Sequence, residues 1–437
     1  MSSATAAATP GSRPVSARGE KPLAPSDPTI ARFIVGDSLR GIGALAVFVY
    51  HAAYWTLAET GLPPQGGNFD TYGDIAGPLL EACGLSVFLF FALSGYLISR
   101  PFVRAFITGG RPPAIGAYLR NRVLRVVPAL WVAFAVVLLA LGLRDASLRD
   151  VLGVLAFTTN WETNPFSGGF GQAWTLKIEM IFYLLVPLIA LALAMAGKRL
   201  GRGGRIGLVV AAAAAGWAAS LLSIALKGPT VHSLTILGVG YAFMPGVALA
   251  AIEQVLAARV AGRTGVARIA AWMSGASVVL LVAIPLLGAH FPTPMLVYVL
   301  ISAGVSCAIG GPLLRQWAAG DAWRVLDNRI LRWFGERSYS FYLYHALLLI
   351  ALVPLASRLG GGYYRALAAV IVLAGTATGI VAAISYRFIE RPFLRRRSPA
   401  AHRPLPAQPP QPSPQRVRRA DALPGPPLPE RDASRAR

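Results

Sequence analysis

Apolar stretches recur along the chain near residues 38–58, 83–99, 123–143, 174–196, 206–226, 234–252, 269–289, 294–312, 338–356 and 366–386. Each is about long enough to cross a hydrocarbon core roughly 30 Å thick as a helix rising ~1.5 Å per residue. Lipid offers no water to bond backbone amides and carbonyls, so a crossing segment must satisfy them internally. The expected fold is all-α, a polytopic membrane helix bundle of about ten transmembrane helices. Only 14% of the 437 residues are charged, against roughly a quarter in ordinary soluble domains. No appended soluble catalytic domain has room to exist, so any chemistry is expected among the helices. The shorter apolar segment 148–158 is expected to lie along the interface.

A formal net charge of +22 raises nucleic acid as a partner, but the positions of the basic residues argue against it. They lie between apolar stretches and in the tails, with no basic stripe interleaved with aromatics. Membrane topology accounts for them, because short cytoplasmic loops carry an excess of Lys and Arg. With a cytoplasmic N-terminus, the inner loops 100–122, 198–205, 259–268 and 315–337 hold seventeen such residues. The outer loops hold five, Arg144, Arg149, Lys227, Arg358 and Arg365, and the outer loop 52–82 holds none but carries Glu59, Asp70 and Asp74. Both termini are therefore expected on the cytoplasmic side.

Three regions follow. Residues 1–32 are rich in Ala, Ser, Pro and Gly and lack a compact apolar stretch with a small-residue cleavage site, so they are expected as a disordered tail ahead of an uncleaved first span. Residues 33–395 form the membrane domain. Residues 396–437, rich in Pro and Arg, cannot bury a core and are expected as a disordered cytoplasmic tail drawn to anionic lipid. Cys83 and Cys307 fall within apolar stretches without metal-ligand spacing, so they read as small core residues and no metal is expected.

Ionisable groups inside a span are costly and by default mark function. Arg40, His51, Glu179 and His345 are the chief cases. Arg40 and His51 are eleven residues apart, three turns plus about 20°, which puts both on one helical face about 16 Å apart along the axis. That places a cation at the cytoplasmic mouth and a base deep inside. Counting from Trp174 as the outer end of its helix, Glu179 has the same depth as His51, and a carboxylate beside the imidazole would set its tautomer and make it a better base. The same pair could instead serve only as a packing contact between helices.

Arg122 and Arg125, spaced i, i+3, open a helix near Arg120 and, at the same membrane face, Arg100 and Arg40. Arginine forks bind phosphates bidentately, which would suit a nucleotide-bearing donor; ordinary positive-inside charge is the simpler account of these arginines alone, and their clustering at one membrane face narrows the difference. Ser94, followed by Gly95, suits close helix packing better than nucleophilic chemistry. His345, in a run with Tyr339, Tyr342 and Tyr344, reads as structural or substrate-positioning.

In order along the chain, these blocks resemble the acyltransferase-3 family of bacterial membrane O-acyltransferases. Arg40 to Ala44 followed by His51 is similar to the family's Arg-x10-His helix, and Phe90-Phe91-Ala92-Leu93-Ser94-Gly95 to its Phe-Phe-x-x-Ser-Gly motif. Arg122-Val123-Leu124-Arg125 with Pro128 resembles its Arg-x-x-Arg-x-x-Pro segment. Trp174 through Glu179 to Phe182-Tyr183 resembles its Trp-Ser-Leu-x-x-Glu-x-x-Phe-Tyr helix, with Thr175 in place of the usual Ser, a change expected to be tolerated. Ser338-Tyr339 through His345 and Ile389-Glu390-Arg391-Pro392 resemble a late-helix motif and the closing segment. The resemblance covers residues 33–395 and is to the stand-alone members, which lack the secreted hydrolase-like domain of some relatives.

The resemblance implies a multi-pass protein of the bacterial plasma membrane that moves an acyl group, usually acetyl, from cytoplasmic acyl-CoA to a hydroxyl. The acceptor would be a sugar of a surface polysaccharide or glycolipid, or a secreted metabolite such as a macrolide. Acyl-CoA enters as co-substrate, and no cofactor stays bound. His51 and Glu179 would be catalytic, Arg40, Arg122 and Arg125 would bind donor or order the site, joined by Arg100 through its clustering at the same membrane face, and Ser94, Trp174, Tyr342 and His345 would position substrate. A covalent acyl-histidine stage is the alternative to direct transfer. The rival class is a transporter or flippase of a glycoconjugate, which would more often show an internal repeat, and none stands out.

Overall fold

The computed structural model describes residues 33–60, 76–141, 146–159, 167–227, 235–287, 294–359 and 362–397. The expected N-terminal tail, Asp70 and Asp74 of the first outer loop, Arg144, and the C-terminal tail beyond Arg397 lie outside the described residues.

Among the described residues every regular element is helical: α1 (Gly36–Glu59), α2 (Ala76–Gly84), α3 (Ser86–Thr108), α4 (Ile115–Leu141), α5 (Leu148–Leu155), α6 (Ser167–Phe170), a 3₁₀ turn (Gly171–Ala173), α7 (Trp174–Ala196), α8 (Arg202–Lys227), α9 (Ile236–Val260), α10 (Thr264–Leu287), α11 (Pro294–Ala319), α12 (Arg329–Ser357), α13 (Tyr363–Ser385), a π-helical turn (Tyr386–Glu390) and α14 (Arg391–Arg395). Among the described residues ten helical stretches are long and apolar enough to cross a membrane, at the ten expected places. α5, with its Ser147–Asp150 capping box, occupies the expected interfacial segment and is too short to cross.

The helices overrun the apolar stretches at one end of the bundle. α3 continues to Thr108, α9 to Val260 and α11 to Ala319, and α12 begins at Arg329. Hydropathy marks only the part of a helix that lipid covers. The extra turns carry Arg104, Arg259, Arg315 and Arg332, which belong in headgroups and water. At the lipid-facing surface Leu139 is 87% exposed and Trp272 79%.

Prolines interrupt several spans, and a proline strips a hydrogen bond from the carbonyl four residues earlier. Two of those freed carbonyls gain hydroxyl donors from neighbouring helices. Tyr118 donates to the Tyr183 carbonyl, four residues before Pro187, at 3.1 Å. Ser302 donates to the Tyr241 carbonyl, four before Pro245, at 3.0 Å. In lipid such a carbonyl would otherwise stay unsatisfied.

Two close helix crossings position the polar interior. α1 packs on α12 where Gly41 meets the Leu331 carbonyl and Gly335 meets the Asp37 carbonyl, with no room for a Cβ on either glycine. α3 packs on α9 through Gly95 against the Phe243 carbonyl and Gly246 against the Ala92 carbonyl. Small residues let membrane helices approach this closely.

Candidate active site

α1 and α12, the first and ninth spans, run in the same direction. Ten residues beyond the Gly41–Gly335 crossing, each helix carries a histidine. His51 Nδ1 stands 3.0 Å from His345 Nε2, with ring centroids 5.1 Å apart and planes 28° from parallel. His345 Nδ1 lies 2.7 Å from the Tyr342 carbonyl oxygen. A carbonyl only accepts, so this Nδ1 carries the proton and His345 Nε2 is the acceptor for His51. His51 therefore donates from Nδ1, which leaves its Nε2 lone pair as the basic nitrogen of the neutral pair. Among the described residues that Nε2 has no hydrogen-bond partner.

The expected Glu179–His51 contact is not what forms. Glu179 accepts from Ser94 Oγ at 2.8 Å and from the Tyr183 hydroxyl, and the charges nearest it include Arg40 and Arg125. The reason is depth. Trp174 is not at the outer boundary: the 3₁₀ turn just before it is pinned at mid-span, where buried Gln172 donates from Nε2 to the Leu343 carbonyl at 3.0 Å. α7 thus starts level with Tyr342, and Glu179 lies about 7 Å further toward the arginine-rich end. His345 is about one turn the other way.

Around that turn two hydroxyls share one carbonyl. The Tyr342 hydroxyl donates to the Gln172 carbonyl at 3.0 Å, Thr175 Oγ1 reaches the same oxygen at 3.1 Å, and the two hydroxyls are 3.0 Å apart. Thr175 supplies the hydroxyl that Ser would. Tyr342 also packs against His345, ring centroids 5.5 Å apart, and Trp174 meets Phe91 edge-on at 5.9 Å. Ser94 and Gly95 divide their work: Gly95 makes the helix crossing, and Ser94 holds Glu179.

The arginines separate into two groups. Arg100 is not available to a donor as expected. Its Nε and Nη2 bond the two oxygens of fully buried Glu253 at 2.7 and 2.8 Å, and Tyr96 donates to the same carboxylate at 3.0 Å. This closed ion pair ties α3 to α9. Arg125 Nη1 lies 2.7 Å from Glu390 Oε1, whose Oε2 accepts from Ser340 at 3.0 Å. Arg122 stacks between the Tyr118 and Tyr183 rings, 5.5 Å from each centroid. Arg40 pairs loosely with Asp37 at 3.6 Å. Arg40, Arg125 and Glu179 stand within one another's electrostatic reach.

Sequence reasoning missed Gln172, Glu253 and the role of Glu390. Glu253 falls one residue past the expected end of its span, and as an acid among the arginines of that face it was a visible signal. Glu390 stands in a motif recognised for its sequence, but nothing local indicates Arg125 as its partner. Gln172 carries no signal of its own.

Residues 37–387 match the sequence model of a family described as an acyltransferase domain. Over 202 residues, 41% of the chain, it is 30% identical to nodulation protein 10 of Rhizobium leguminosarum bv. viciae, covering 48% of that protein. Over 402 residues, 83% of the chain, it is 25% identical to a Staphylococcus aureus (strain COL) protein provisionally named an O-acetyltransferase, covering 58% of it. The chain thus spans about half the length of each of these relatives. No solved structure matches it.

Proposed function

Because the chain belongs to the acyltransferase-3 family, we propose that this multi-pass membrane protein is an O-acyltransferase that moves an acyl group, acetyl in the first instance, from acyl-CoA to a hydroxyl. The acceptor is a sugar of a surface glycan or glycolipid, or a glycosylated secreted metabolite. The observation that carries the proposal is the histidine pair. A chain of fixed donors, His51 Nδ1 to His345 Nε2 and His345 Nδ1 to the Tyr342 carbonyl, leaves one imidazole nitrogen bare, which is the group a hydroxyl nucleophile needs.

In the proposed reaction His51 Nε2 takes the proton of the acceptor hydroxyl as its oxygen attacks the thioester carbonyl carbon. The carbon–sulfur bond then breaks, the thiolate recovers the proton from His51, and the new ester leaves. The transient positive charge on His51 spreads through Nδ1–H to His345, so His345 takes the orienting part first expected of Glu179. Glu179 instead neutralises Arg40 and Arg125 and fixes Tyr183. We place the arginine-rich end of the bundle in the cytoplasm of a bacterium, where acyl-CoA is found, following the bias of basic residues.

The test is transfer of labelled acetyl from acetyl-CoA by the purified chain in lipid nanodiscs, offered oligosaccharide and macrolide acceptors. Labelled ester is expected with wild type and is expected to be lost with His51→Ala. A protein that moves a labelled glycolipid across proteoliposomes and never consumes acetyl-CoA would instead be a transporter.

A further inference from the structure

The π-helical turn and α14 pack on α4, which brings Arg397, two residues past α14, beside Arg122 and Arg125. Arg397 lies outside the residues that match the family, so family membership assigns it nothing. Its Nε and Nη2 are buried and have no hydrogen-bond partner among the described residues, and the same is true of Arg122 Nε. Arg122 is held by the faces of Tyr118 and Tyr183 rather than by acceptors. Glu390 pairs with Arg125 and accepts from Ser340, while Glu179, also within electrostatic reach of Arg125, accepts from Ser94 and Tyr183. Arg122, Arg125 and Arg397 thus share Glu390 and Glu179, and Arg40 draws on Glu179 as well, so cations outnumber carboxylates at this end of the bundle.

Burial, followed by the charges of Arg125 and Arg122, draws the Arg397 guanidinium down to about 10. A cation in that position is short of counter-charge. Buried N–H donors without acceptors are costly, and arginine forks fit phosphate oxygens two at a time. A phosphate would satisfy both the charge and the donors.

We propose that Arg122, Arg125 and Arg397 form a phosphate-binding site at the arginine-rich end of the bundle, which takes the diphosphate of the acyl donor. The assignment to the donor rests on the acyltransferase reading above. It is favoured because Arg125 is also within electrostatic reach of Glu179, so the same arginines open onto the polar groups that lead inward. An acidic lipid headgroup offers the same phosphate chemistry, and the test separates the two.

The full chain in phosphatidylcholine nanodiscs is titrated with inorganic pyrophosphate and its thermal stability followed. Wild type is expected to be stabilised at millimolar pyrophosphate, Arg397→Gln to need about tenfold more, the effect of one lost charge-assisted contact, and Arg397→Lys to fall between. Equal stabilisation of wild type and Arg397→Gln by pyrophosphate, or none in either by pyrophosphate or by phosphatidylglycerol, overturns the site. If pyrophosphate fails while phosphatidylglycerol nanodiscs stabilise wild type above Arg397→Gln, the ligand is a lipid headgroup and the donor assignment falls. The second arm compares acetyl-CoA with acetyl-pantetheine, which lacks the diphosphate. Arg397→Gln is expected to lower the ratio of their kcat/KM values about tenfold, and an unchanged ratio in an active enzyme overturns the donor assignment alone. Arg397-dependent pyrophosphate binding in a protein that turns over neither donor would remove the acyltransferase reading and leave the phosphate site.

Discussion

His51 on α1 and His345 on α12 meet at 3.0 Å between Nδ1 and Nε2, at the same offset along the two helices as the glycine crossing of Gly41 and Gly335. The crossing sets the register of the two helices, and the register sets the histidine contact. His345 in turn leaves only one nitrogen of His51 free to act as a base. The chemistry and the packing of these helices are therefore coupled.

The two histidines should behave as one unit. His51→Ala is expected to lower kcat/KM by about 10²–10⁴-fold, the usual weight of a general base, and His345→Ala by a smaller factor because it acts through His51. The double variant should be no slower than His51→Ala, since groups that act together do not lose activity additively. Losses that multiply would mean that His345 works independently, and a His51→Ala enzyme within tenfold of wild type would remove the base.

The glycine crossing gives a second prediction. A Cβ at Gly335 would collide with the Asp37 carbonyl, so Gly335→Ala must push α1 from α12 and should cost about 1–3 kcal/mol as overpacking. Activity should fall further than stability, because the histidine pair depends on the same register. Gly207 on α8 has open space around it, and Gly207→Ala should leave both melting temperature and activity near wild type. Equal effects of the two substitutions on activity would break the link between register and chemistry.

Much of this architecture was readable from the chain. Bilayer thickness forces long apolar runs, so ten spans and their order follow from hydropathy. The motif blocks around His51, Ser94, Glu179 and Tyr342 follow from resemblance. What was not readable were contacts between distant segments. Counting depth from Trp174 as the membrane boundary misplaces Glu179, because the Gln172–Leu343 bond that sinks the start of α7 joins residues far apart in sequence. The partners Glu253 and Glu390 of Arg100 and Arg125 were hidden for the same reason: hydropathy reports depth and says nothing about which helices are neighbours.

Arg100 is predicted to matter for stability rather than for donor affinity. Glu253 is fully buried and holds both nitrogens of Arg100, and removing one partner of a buried ion pair typically costs about 3–5 kcal/mol because the other charge is stranded. Glu253→Ala and Arg100→Ala should therefore each lower the melting temperature sharply, and Arg100→Met combined with Glu253→Leu should recover part of it. Any folded fraction should keep its KM for acetyl-CoA. A raised donor KM in the paired apolar variant would return Arg100 to the donor site.

Thr175 allows a one-atom test of the turn that carries Tyr342. Its hydroxyl and that of Tyr342 converge on the Gln172 carbonyl in a buried setting. Thr175→Ser keeps the hydroxyl and should stay within about twofold of wild-type activity, since only a methyl group is lost. Thr175→Val keeps the shape and removes the hydroxyl, leaving the Tyr342 oxygen without its neighbour, at a cost of about 1–3 kcal/mol for an unsatisfied buried group. Because Tyr342 packs on His345 and its carbonyl fixes the His345 tautomer, that cost should appear in kcat as well as in melting temperature. Measured kcat and melting temperature for the three proteins decide it: a Val variant as active as the Ser variant would show that the hydroxyl is dispensable and that the turn is held by Gln172 alone.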